Sequence, residues 1–76
     1  MRLPIRNYLT SPLALFLEPL CIGFEIPPGG EAIITLEDNH PHSIDYHPEN
    51  WISVWDEGSN AQAAVEVFSQ MDLKRV

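Results

Sequence analysis

Apolar residues in this chain recur at every second position, and no window of a dozen residues sustains the i, i+3, i+4, i+7 stripe of an amphipathic helix. A chain so patterned can bury one side of each segment only as strands. "LALFLE" (13–18) sets Leu13, Leu15 and Leu17 against Ala14, Phe16 and Glu18, and the flanking Pro12 and Pro19 predict a first strand at a sheet edge, where a ladder N–H can be spared. "LCIGFEI" (20–26) is a second strand, with Gly23 marking a bulge or a close approach, and "PPGG" (27–30) is a turn whose glycines supply positive φ. "EAIITLE" (31–37) puts Ala32, Ile34 and Leu36 on one face, and "EDNHP" (37–41) turns the chain. "HSIDYH" (42–47) opposes Ile44 and Tyr46 to Ser43, Asp45 and His47; after the "PEN" turn (48–50), "WISVWD" (51–56) opposes Trp51, Ser53 and Trp55 to Ile52 and Val54. "DEGSN" (56–60) reads as a compact hairpin turn with Gly58 in the left-handed region, and "AQAAVEVFS" (61–69) as a last strand whose alanines also suit a short helix near the C-terminus. The expectation is an all-β domain, a small antiparallel β-sandwich or open barrel of about six short strands.

Seventy-six residues make a single domain, 1–76, with a core over about 11–69 and looser termini. With 45 % apolar residues and seven aromatics, burial can offset the ordering entropy without metal or disulfide. The one cysteine, Cys21, forms no internal disulfide and reads as a packed strand thiol, in keeping with a reducing, cytoplasmic setting. The N-terminal apolar run, broken by Pro12, Glu18 and Pro19, reads neither as a signal peptide nor as a membrane span.

Charge is more informative than composition. No lysine or arginine occurs from Asn7 to Leu73, whereas all eleven acids lie between Glu18 and Asp72. A field of one sign repels nucleic acid and anionic membranes and steers cationic partners inward, although acidic surfaces also serve solubility alone. The expected docking residues are Glu37, Asp38, Asp45, Glu49, Asp56 and Glu57, from two turns and the polar side of one strand.

"HPHSIDYHPENW" (40–51) holds three histidines, and two histidines two apart on a strand share a face, so His40, His42 and a carboxylate form a candidate metal set, with His47 nearby. A glycine turn before H-x-H is similar to the metal-binding cupin pattern. Here nine residues separate Gly30 from His40, the central x is Pro41, and a second cupin motif has no room; loop histidines among Asn, Pro and Asp are commonly turn residues. No metal or other cofactor is therefore expected. Ser43, His42 and Asp45 lie close in sequence without a nucleophile elbow, and "IPPGG" lacks the lysine and helix of a phosphate loop. Trp51 and Trp55 share a face and are expected in the core; the alternative, with Ile52 and Val54 inward, is an exposed aromatic pair ringed by acids.

The run of "LFLEP" (15–19), "PPG" (27–29), "SIDY" (43–46) and "ISVW" (52–55) resembles small, mostly uncharacterised bacterial all-β proteins with an LFLEP, PPG, EIEY and ITVW strand pattern. The resemblance spans about residues 11–68 and implies strands and turns, with no catalytic residues to carry over. The expected function is a non-enzymatic acidic binding or inhibitor protein, monomer or homodimer, that docks on a basic, nucleic-acid-binding surface of a partner, by analogy of size and charge with anti-CRISPR and other phage or mobile-element inhibitors. The alternatives are a small cupin-like metal protein or enzyme using His40 and His42, and a structural homodimeric subunit.

Overall fold

A computed structural model describes residues 1–58 and 63–73. Among these residues seven strands form two stacked sheets: β1 (Arg2–Arg6), β2 (Leu13–Glu18), β3 (Ile22–Ile26), β4 (Glu31–Leu36), β5 (His42–His47), β6 (Trp51–Asp56) and β7 (Ala63–Phe68), followed by one helical turn, α1 (Gln70–Leu73). One sheet has the order β1-β4-β7 and the other β3-β2-β6-β5. Every pairing is antiparallel except β2 with β6, which is parallel, so the sandwich is mixed where an antiparallel one was expected. β2 lies inside its sheet and not at an edge, because β3 and β6 both pair with it; Pro12 and Pro19 fall just outside the paired segment.

The alternation read from the sequence decides which side chains meet. Leu13, Leu15 and Leu17 of β2, Ile26 of β3, and Ile52 and Val54 of β6 face Ala32, Ile34 and Leu36 of β4 in one fully buried layer. Leu3 and Ile5 of β1 and Val65 of β7 close its margins. β1 is an addition to the expected strands: the alternation Arg2, Leu3, Pro4, Ile5, Arg6 pairs with β4 alone, and an edge strand tolerates Pro4. β7 packs across β3, and the facing sheet runs out before β5, leaving Ile44 and Tyr46 on its inward side exposed.

Two connections differ from expectation. The chain leaving β6 passes to the other sheet, so 56–60 is not a hairpin turn; residues 59 and 60 lie outside the described residues, as do 61 and 62 of the expected last strand. Gly58 is not left-handed, and the ring of His40 fills the place where its side chain would stand. The PPGG turn is as expected in conformation, with Gly29 at φ 73°, but it too carries the chain between sheets. Asn7, 1 % exposed, fastens that crossing. Its Nδ2 donates to the carbonyls of Ser11, Ile26 and Pro27 at 2.9, 2.9 and 3.2 Å, its Oδ1 accepts from Leu9 N, and its backbone bonds to Gly29 and Gly30. Beside the same turn, Ser69 and Asp72 cap α1 reciprocally, and the bonds from Ser69 hold the Asp72 carboxyl below its ordinary range.

Asn7→Ala strands buried carbonyls as well as removing bonds, and should cost about 2–3 kcal/mol of unfolding free energy, close to the about 2–5 expected for Leu15→Ala. Urea unfolding followed by tryptophan fluorescence checks this, read as a lower midpoint at constant slope.

Candidate functional site: an aromatic and acidic sheet face

Once the leucines of β2 point inward, Ala14, Phe16 and Glu18 must point outward, and the inward Ile52 and Val54 turn Trp51, Ser53 and Trp55 out beside them. The tryptophans are thus not in the core, contrary to the first expectation. Both faces of β6 are apolar, and the smaller branched side chains are the ones that fit the layer against β4. Gly23 and Glu25 of β3 and Ser43, Asp45 and His47 of β5 complete the outer face. Across the strands, Glu25, Ala14, Trp51 and His47 form one row, and Gly23, Phe16, Ser53 and Asp45 the next.

Ring contacts fix the aromatics. His47 stacks on Trp51 with centroids 3.6 Å apart and planes 6° from parallel, and its Nε2 lies 2.9 Å from the Ser53 hydroxyl. Phe16 meets Trp51 edge to face at 5.5 Å and 88°, its ring lying over Gly23, the close approach foreseen at that glycine. Phe16 and Trp55 remain 39 % and 37 % exposed, so the face presents apolar area beside the carboxylates of Glu18, Glu25 and Asp45. Both described arginines lie on the far side of the molecule, outward on β1, where Arg6 approaches Glu31 at 3.7 Å.

The expected docking acids are not all brought together. Glu37 and Asp38 occupy the β4–β5 turn, where the Met1 amine lies 2.6 Å from Asp38 and holds its carboxyl below the ordinary range. Glu57 is exposed just past β6 at that same end, its N–H bonded to the Pro41 carbonyl. Asp45 sits mid-strand on the outer face, and Glu49 lies in the β5–β6 turn at the opposite end. Asp56 drops out of the docking set, because it shares the inward face with Ile52 and Val54 and is 2 % exposed. It binds His40 Nδ1 at 3.0 Å and the Gly58 N–H at 3.1 Å. Glu18 and Glu25, not among the expected residues, are the acids that join Asp45 on the face; the alternation of Glu18 with Phe16 was the available signal.

The three histidines have separate surroundings. His40 holds Asp56, His42 is exposed with its Nδ1 3.5 Å from the His40 carbonyl, and His47 is on the opposite face of β5 against Trp51. Among the described residues no three His, Cys, Asp or Glu side chains are grouped to hold a metal ion. Ser43 and Asp45 point outward from β5 and His42 inward, so they form no triad. Cys21 is not packed in a strand: it is exposed, in the β2–β3 turn at φ 58°. Its thiol donates toward Glu18 Oε2 at 3.6 Å, and that bond and the carboxylate's charge push the thiol above its ordinary pKa.

No helix among the described residues is long and apolar enough to cross a membrane. No family model matches the chain, and neither a curated protein nor a solved structure matches it.

A raised thiol pKa means less thiolate at a given pH below it. Cys21 should therefore alkylate slowly at pH 7.5 despite its exposure, and Glu18→Gln, which removes the charge, should speed the reaction several-fold. Iodoacetamide kinetics followed by mass spectrometry check this.

Proposed function

We propose that this is a non-enzymatic binding protein that lays the outer face of the β3-β2-β6-β5 sheet on a basic, nucleic-acid-binding surface of a partner protein and competes with nucleic acid for it. The observation that carries the reading is the composition of that face. Phe16, Trp51 and Trp55 stand among Glu18, Glu25 and Asp45 without a lysine or arginine among the described residues there, while Arg2 and Arg6 lie on the opposite side. Aromatic anchors in the middle and charges around them are what a protein–protein contact needs, the first for affinity and the second for steering. Glu37, Asp38 and Glu57 at one end of the sheet and Glu49 at the other extend the negative field beyond the face. The class is that of small acidic inhibitors such as anti-CRISPR proteins, and the setting is cytoplasmic. The homodimer reading retains one supporting observation, the uncovered Ile44 and Tyr46 on the edge strand β5.

The test begins with capture of partners on the immobilised protein at low salt and release at high salt. A captured nucleic-acid-binding protein is then assayed against the wild type and the Glu18→Lys, Glu25→Lys, Asp45→Lys triple variant. Association of the variant should be slower by about tenfold or more with a flattened salt dependence, and nucleic acid should displace the wild type. Binding unchanged by three reversals, with circular dichroism also unchanged, would overturn the proposal.

A further inference from the structure

We infer that the hollow against Trp51 is a receptor for an arginine side chain, which deepens the docking reading and rests on it. The hollow, about 610 Å³ and open to solvent, is lined by Ala14, Phe16, Glu18, Glu49, Asn50 and Trp51, together with Pro12. It is lined from β2 by Ala14, Phe16 and Glu18, while His47 of β5 stacks on the same indole. The stacked imidazole, tied to Ser53, and the perpendicular Phe16 ring hold the indole in place before any ligand arrives. A preset aromatic wall spares the ligand the ordering cost of building it.

The lining selects the occupant. The lining includes the rings of Trp51 and Phe16, whose π faces are electron-rich, and Glu18 and Glu49 supply negative charge, so an anion is repelled and a neutral apolar group would bury carboxylate surface without compensation. A cation satisfies both. Among protein cations the guanidinium is planar and weakly hydrated; it stacks on an indole and can present paired N–H donors to a carboxylate at once. The lysine ammonium is a strongly hydrated point charge and gains less from a ring. Basic nucleic-acid-binding surfaces are rich in both residues, so the hollow adds a preference between them to the general attraction of the acidic face.

The probes are a blocked peptide of four Gly-Arg repeats and its Gly-Lys counterpart, of equal charge, titrated against the ¹⁵N-labelled full chain at low salt. The Gly-Arg peptide should shift the Trp51 indole resonance more than that of Trp55 and bind about three- to tenfold tighter than the Gly-Lys peptide. Trp51→Leu should abolish that preference, and Glu49→Gln, in an exposed turn and so tolerant of substitution, should weaken the Gly-Arg peptide several-fold. Equal binding of the two peptides, or a preference that survives in both variants, overturns the arginine receptor. If both peptides bind equally and salt releases them, the receptor falls while the acidic docking face stands; if neither binds at low salt, both fall.

Discussion

The contact between the leucine side of β2 and the Ala32, Ile34 and Leu36 side of β4 sets the position of everything else in the molecule. Side chains of a strand alternate strictly, so seating Leu15 inward seats Leu13 and Leu17 with it and sends Phe16 and Glu18 out. A slip of one residue would expose three leucines, at about 1.5–3 kcal/mol each, and bury a glutamate. The sum rivals the whole stability of a small domain, about 5–15 kcal/mol, so the register is enforced and the outer face is its by-product. β6 inherits its orientation through the parallel ladder to β2, which aligns Ile52 with Leu15 and Val54 with Leu17.

Polar groups inside this sandwich act at its seams. Asn7 joins the end of β1 to the turn that changes sheets, and Asp56 joins the end of β6 to the turn before β5 through His40. Each lies where backbone groups would otherwise be stranded between layers, a place where hydrogen bonds contribute more than at the surface. Outside the core, Asp38, Asp72, Glu18 and Glu31 have local partners in the Met1 amine, Ser69, Cys21 and Arg6.

Much of the fold was legible in the alternation. β2, β4, β5 and β6 fall almost where the pattern put them, because each has one face that must be buried. β1 was hidden by Pro4 and two arginines, which read as a loose terminus until an edge position accounts for all three. The parallel pairing was hidden for a different reason: alternation states which face of a strand is apolar and says nothing of its neighbour. The orientation of Trp51 and Trp55 was underdetermined by a strand apolar on both sides. Asp56 was misplaced by reading it as a turn residue, when the period shared with Ile52 and Val54 already put it inward. Of the candidate site, the negative field was visible as a gap in the basic residues; the hollow beside Trp51 depends on neighbours brought together from β2 and the β5–β6 turn, which no linear spacing reveals.

β5 has an open edge as well as an uncovered inward side, with Ile44 49 % and Tyr46 66 % exposed. Unpaired edges of this sort invite copies of the same chain to add on as further strands. Two such chains each bring a net charge of −7, and their repulsion works against that addition at neutral pH. Acidification toward the isoelectric point near 4.6 removes that repulsion and leaves the edge strand without it.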